Sequence, residues 1–343
     1  MRSDDAGRET QVARLIQGVR ELLRPNRDDL IQVVRGFLMG SADIVPGVSG
    51  GTIALILGIY TRLVTAISRF DTKFVRLVAT RQWREAAEHI DLRFLVALVL
   101  GILSGAVCLA SLVLYLLSDQ RSYTLAVFFG LILASSMVVA RMVRPRNSAQ
   151  VWGSCALALG AALFAFWLVG LQKIGFQENL GYFFVCGAVA ICAMILPGIS
   201  GAHILLLLGA YETIAGIIHN VPRLLVTAND LLTLVVFAAG CAVGLVCFSK
   251  LLRWLLDRAH MATMAVLGGF MVGSLRLMWP FQKDLTPEIE KLRLKQFESC
   301  VPQQWDTQVT ACLVLGLIAF SVVMLLERWG SVAHSEDDIV IKR

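Results

Sequence analysis

Apolar residues dominate this chain in long uninterrupted stretches, and polar residues gather in the short gaps between them. Three stretches, Phe94–Leu117, Thr124–Val143 and Val151–Leu171, each approach the roughly 20 residues a helix needs to cross a bilayer. Three more, near Leu231–Leu252, Met261–Pro280 and Val309–Leu326, do the same. Two further apolar segments, about Ile31–Ile67 and Gly181–Ile218, are interrupted by Pro and Gly and predict broken helices. Residues 1–30 carry Val12, Leu15, Ile16, Val19, Leu22 and Leu23 at helical spacing in a polar background. That pattern predicts an amphipathic helix on the membrane surface. Ser68–Asp91 is basic and partly amphipathic, and a polar insert, 281–308, separates the last two spans.

The two broken segments share a phrase. Ile44-Val-Pro-Gly-Val-Ser-Gly-Gly-Thr-Ile53 recurs as Ile195-Leu-Pro-Gly-Ile-Ser-Gly-Ala-His-Ile204, an offset of 151 positions. Over Gly36–Ile67 and Gly187–Ile218, 13 of 32 positions are identical, Gly58 and Tyr60 matching Gly209 and Tyr211 among them. A second match pairs Thr124-Leu-Ala-Val-Phe-Phe-Gly130 with Thr263-Met-Ala-Val-Leu-Gly-Gly269. Each half therefore reads as one broken segment plus three spans, 31–171 and 179–327, with the segment 1–30 before them and a tail, 328–343, behind. The expected fold is an all-α polytopic membrane protein of two inverted repeats, each a re-entrant broken hairpin plus three transmembrane helices. A Pro-Gly-x-Ser-Gly break in lipid frees backbone groups that hydrocarbon does not satisfy. Two breaks at matching places in two halves point to a transporter's binding site.

Composition agrees with that reading: 343 residues, 57% hydrophobic, mean hydropathy +0.71. The first 30 residues contain no apolar core of a signal peptide, so none is expected. The net charge of +6 reads as a topology signal rather than a nucleic-acid footprint. If each broken segment returns to its own side, 23 Lys and Arg fall on one side and 7 on the other, which puts both termini in the cytoplasm. Three crossings per half is an odd number, so the halves run in opposite orientations. If each broken segment crossed instead, the halves would be parallel and the first basic loop would move outside. The eight cysteines include no CxxC and mostly sit in apolar runs, where they read as small packing residues. No P-loop, metal-ligand cluster or Ser-His-Asp order stands out, so no cofactor, no metal and no ATP-driven pump is expected. A homo-oligomer is compatible with the sequence.

The candidate site is built from the repeated phrase. Pro46, Gly47, Gly50 and Gly51, with Pro197, Gly198 and Gly201, break the helices and let a ligand approach the backbone closely. Ser49, Thr52, Ser200 and His203 add polar groups, and amides at such turns favour an anion. The bland reading is close helix packing through small residues. Asp43 precedes the first break inside an apolar segment, and its counterpart is Met194. An intramembrane carboxylate is costly, so Asp43 is the candidate for proton or cation coupling, with a structural pair as the alternative. Arg276, in an apolar stretch, is a candidate phosphate ligand, and Arg35 and Arg62 are candidates for phosphate access. For Arg35 and Arg62 an ordinary interfacial role fits as well.

These residues resemble a known family. Gly36-Phe-Leu-Met-Gly-Ser-Ala-Asp-Ile-Val-Pro-Gly-Val-Ser-Gly-Gly-Thr52, Cys192-Ala-Met-Ile-Leu-Pro-Gly-Ile-Ser-Gly201 and Gly269-Phe-Met-Val-Gly-Ser-Leu-Arg-Leu-Met-Trp-Pro280 look like the motifs of the PopT-type polyprenyl-phosphate transporters. The resemblance spans roughly residues 30–327. It implies a flippase, not an enzyme, returning undecaprenyl phosphate from the outer to the inner leaflet of the bacterial cytoplasmic membrane. Its expected partners are the polyprenyl-phosphate lipid and the bilayer. Ala202-His203 departs from the family pattern, so His203 is not carried over as a family site. The competing readings are a transporter of a small soluble anion and an intramembrane lipid phosphatase, for which Ser49 or Ser200 with His203 is the one weak candidate.

Overall fold

Hydrocarbon offers backbone groups no partner, so apolar runs in it close their hydrogen bonds internally as helices. The computed structural model describes residues 27–44, 49–171, 179–223, 225–288, 295, 297–302 and 304–340. The first half contains α1 (Arg27–Asp43), α2 (Gly50–Ile56), α3 (Tyr60–Ser68), α4 (Thr72–Ala79), α5 (Trp83–His89), α6 (Leu92–Asp119), α7 (Arg121–Met142) and α8 (Ser148–Leu168). The second contains α9 (Leu180–Ile195), α10 (Gly201–Leu207), α11 (Tyr211–Asn220), α12 (Ala228–Arg258), α13 (His260–Ser274) and α14 (Thr307–Val340). Six helices, α6, α7, α8, α12, α13 and α14, are long and apolar enough to cross a membrane. They fall within a few residues of the six expected runs, although α12 and α14 extend further. Of the expected amphipathic helix, residues 1–26 lie outside the described residues, and Arg27 to Leu30 open α1. The basic stretch after α3 forms α4 and α5, which are linked where Asp71 accepts from Phe74 N (3.0 Å) and meets His89 Nε2 (3.2 Å).

The strands among the described residues are in the polar insert. There β1 (Gln282–Asp284) pairs antiparallel with β2 (Phe297–Ser299). Lys295 Nζ donates to Asp284 (2.6 Å) and holds that carboxyl below the usual range. Trp279 is engaged with the insert. Its Nε1 donates to Cys300 O (2.9 Å), and its ring meets Phe129 and Phe281 edge-on.

Glycines set which helices touch. A Cβ on Gly36 would collide with Leu98 O, one on Gly101 with Val33 O, and one on Gly105 with Phe37 O. The register rises on both helices together, so α1 and α6 run parallel. Arg93 pairs with Asp29 where both begin. The chain has therefore returned through α2 and α3 to the end it left. The second half repeats the seam: Gly187 meets Phe237 O, Gly240 meets Phe184 O and Gly244 meets Ala188 O. These are the same contacts displaced by 151 positions on the first helix and 139 on the second. The offset of 139 is also that of the Thr124 and Thr263 match. It falls short of 151 because α4 and α5 have no counterpart of equal length in the second half.

The spans then pair across the halves. Gly130 of α7 packs on Gly316 of α14, and Gly269 and Gly273 of α13 pack on Ala158 and Ala162 of α8. In the centre α7 and α13 touch in opposite directions, Phe129 against Trp279 and Val139 against Gly268. This pair carries much of the core, including Ile132, Val139, Met264, Leu267 and Met271. Outward faces are exposed and apolar, as on Leu103 and Val107 of α6, Leu159 and Leu163 of α8, and Leu317 and Ile318 of α14. Lipid is the solvent such faces require.

Candidate functional site

Both broken segments fold by one local scheme. A seven-residue helix follows each serine: Ser49 starts α2 and Ser200 starts α10. Each short helix ends at a glycine in the left-handed region, Gly58 at φ +69° and Gly209 at φ +72°. The residue type that tolerates that conformation ends the helix there. The next helix starts at Tyr60 in one half and Tyr211 in the other, and α10 and α11 are bent by 114°. Pro46 and Gly47 lie outside the described residues, so the first turn is framed by Ile44 and Ser49.

The two breaks meet. Ser49 Oγ donates to Met194 O at the end of α9 (2.9 Å) and accepts from Gly51 N (3.1 Å). Gly198 N donates to Thr52 Oγ1 (2.9 Å), and Tyr60 OH donates to Ile195 O (3.2 Å). Hydroxyls of the first break thus satisfy backbone groups that the second break frees. Ser49, Thr52 and Ser200 are buried, as is Ser274, whose Oγ would lie 2.8 Å from a Cβ on Gly198. Gly51 is pressed against Ile195 O, where a side chain would intrude. Gly50 closes on Asp43, whose Oδ1 accepts from Gly50 N (2.5 Å). The Asp43 carboxylate is therefore held at the first break by a backbone amide, and Met194 stands at the matching position of the second.

The other expected residues have contacts of their own. Arg276 Nη1 donates to Phe166 O (3.0 Å) and its guanidinium lies 4.5 Å from the Phe166 ring, at the end of α8. There it caps a helix C-terminus, where a cation is favoured. Arg62 is forked onto Asp91 (2.7 and 3.1 Å) and Arg35 donates to Gln32 (3.3 Å), both near the shared start of α1 and α6. His203 Nε2 is buried without a hydrogen-bond partner among the described residues. Pro197 and Gly201 sit in the second break itself, Gly201 against Ala190 O. No group of three or more His, Cys, Asp or Glu able to hold a metal occurs among the described residues.

Residues 39–296 match the VCA0040-like family, described as undecaprenyl phosphate translocase-like. The chain belongs to this family. One relative, from Vibrio cholerae serotype O1 (strain ATCC 39315 / El Tor Inaba N16961), is named polyprenyl-phosphate transporter and is 35% identical over 311 residues. That match covers 87% of this chain and 96% of the relative. A second protein of that name, from Staphylococcus aureus (strain NCTC 8325 / PS 47), is 32% identical over 260 residues, 73% of this chain and 86% of its own. No solved structure matches the chain. Within this VCA0040-like architecture, two participants at the junction carried no assigned role in the sequence reading. Tyr60 was visible only as one half of a repeated tyrosine, and Ser274 only as part of a C-terminal motif. The signal for both lay in the internal repeat and the motif, but which backbone group each would meet was not readable from them.

Proposed function

We propose that the protein is a flippase that moves undecaprenyl phosphate from the outer to the inner leaflet of a bacterial cytoplasmic membrane for reuse in envelope synthesis. The relatives named polyprenyl-phosphate transporters support the substrate class. The observation that carries the mechanism is the bonding of one broken motif to the other through Ser49, Thr52 and Tyr60. The two halves act as inverted repeats with both termini cytoplasmic, and each hairpin brings its break inward from its own face. The opposed directions of the counterparts α7 and α13 support that orientation, as does the skew of basic residues toward one side.

The phosphate crosses at the junction of the breaks, beside Ser49, Thr52, Ser200 and His203, where Gly50, Gly51, Gly198 and Gly201 let the polypeptide pack closely around the path. The prenyl chain stays in hydrocarbon beside the apolar outer faces, so only the headgroup requires a polar route. Moving an anion inward against a negative-inside potential costs about 2.3 kcal/mol per charge per 100 mV. Asp43 supplies the compensation. When its carboxylate takes a proton or a cation, its hold on Gly50 N weakens and the negative charge facing an incoming phosphate is removed.

Leaflet-resolved transport of undecaprenyl phosphate in proteoliposomes tests this reading. The wild type is expected to accelerate movement and to respond to an imposed proton or sodium gradient. Asp43→Asn is expected to slow it about tenfold or more, the size of one lost charge-assisted interaction, and to flatten the pH or sodium response. An Asp43→Asn protein with wild-type rate and wild-type ion dependence would remove Asp43 from the mechanism. Folded wild type that moves a water-soluble phosphate but no lipid would replace the flippase with a soluble-anion transporter.

A further inference from the structure

A cleft of about 470 Å³ opens at the shared start of α1 and α6, and none of the residues that bond across the two breaks lines it. Asp28, Asp29, Gln32, Arg62, Asp91, Arg93 and Phe94 line it, so two guanidiniums face three carboxylates. Arg62 grips both oxygens of Asp91 through Nε (2.7 Å) and Nη2 (3.1 Å), and Arg93 grips both oxygens of Asp29, through Nε at 2.6 Å. The guanidinium fork that donates to both oxygens of a carboxylate also donates to two oxygens of a phosphate. Buried Phe94 lies 4.2 Å beneath the Arg62 guanidinium and fixes its plane.

Asp91 occupies the position before α6, yet its side chain caps no α6 amide. Its backbone is left-handed (φ 52°, ψ 48°), a strained choice for a residue other than glycine, and its carboxylate is given to Arg62 instead. The ion pairs are open to solvent, with side chains 49% and 30% exposed for Arg62 and Asp91, and 35% and 25% for Arg93 and Asp29. Pairs this exposed contribute little and exchange readily. Gln32, at the buried wall, accepts from Arg35, which places a third guanidinium about one helical turn further along α1. The neighbouring face of α1 exposes Leu30, Val34 and Leu38, an apolar track beside the arginines.

We propose that this cleft is a second headgroup site, in which the phosphate monoester of an amphiphilic lipid displaces Asp91 from Arg62 and Asp29 from Arg93. Its lipid identity rests on the transport reading above; the site itself is separate from the junction at Ser49 and Thr52. The two carboxylates act as resident competitors that keep the arginines formed and release them to the lipid.

The test is calorimetric titration of the purified full chain with farnesyl phosphate, farnesol and inorganic phosphate. Arg62→Gln and Arg93→Gln are each expected to weaken farnesyl phosphate binding about tenfold. Asp91→Asn is expected to tighten it, because the competitor loses its charge. Misfolding does not produce opposite signs at two ends of one ion pair. Equal affinity in all variants, or weakening by Asp91→Asn as well, overturns the proposal. Farnesol binding as tightly as farnesyl phosphate overturns the headgroup assignment, and inorganic phosphate binding as tightly overturns the lipid. Transport separates the two claims. A wild type that moves undecaprenyl phosphate but lacks the opposed signs overturns this site alone. A wild type that shows the opposed signs but moves no lipid overturns the flippase reading alone.

Discussion

Gly198 has no room for any side chain. Its backbone is at φ +91°, and a Cβ there would lie 2.8 Å from Ser274 Oγ and 2.9 Å from Met271 Cα. Gly58 has a similar φ, +69°, but faces open space. The two positions separate backbone strain from collision. Gly58→Ala is expected to cost about 1–2 kcal/mol, the strain of a left-handed L-residue. Gly198→Ala adds overpacking to the same strain and is expected to cost about 2–5 kcal/mol. Thermal unfolding of the two variants in detergent checks the order, and equal losses would show that the second break is loosely packed. Asp43 belongs to the same scale. It was legible as an odd charge in an apolar run, but its bond to Gly50, seven residues on, was not, because helical spacing predicts no such contact across a break.

At the scale of elements, the seam glycines decide which helices approach. Gly105→Leu places a side chain on the Phe37 backbone and is expected to separate α1 from α6, with loss of the monodisperse peak in size-exclusion chromatography. A Cβ on Gly153 of α8 meets nothing within 4 Å, and Gly153→Leu is expected to leave that peak unchanged. The six spans were legible because lipid imposes one period and one length on any helix that crosses it. The repeat was legible because 13 identities survive in it. The partners were not. Nothing in a single chain says that Gly36 faces Leu98 rather than another span, or that Gly130 crosses to α14. The ribbon of β1 and β2 was hidden for another reason: strands of three residues, paired across a long polar insert, are too short to display a period of two. The site was legible as a list of residues but not as a set of contacts: nothing in the sequence says that Ser49 and Thr52 bond to the second break, or that Arg276 bonds to Phe166 O and Arg62 to Asp91.

The whole molecule makes a topological prediction. Arg81→Cys, between α4 and α5, and Glu288→Cys, in the insert, are expected to react with an impermeant maleimide from opposite faces of sealed vesicles of known orientation. Reaction of both from one face would overturn the proposed opposed orientation of the halves. The crosswise pairing of spans has a consequence for biogenesis. Arg141 at the end of α7 reaches Glu327 on α14 (2.9 Å), 186 residues later. At about 5–20 residues per second of synthesis, α7 waits on the order of ten to forty seconds for the helix that covers Gly130. During that interval its small-residue groove is open to lipid or to a foreign helix. A nascent chain stalled before Thr307 is therefore a client for an insertase or a membrane protease, and quality control of this protein turns on its final helix.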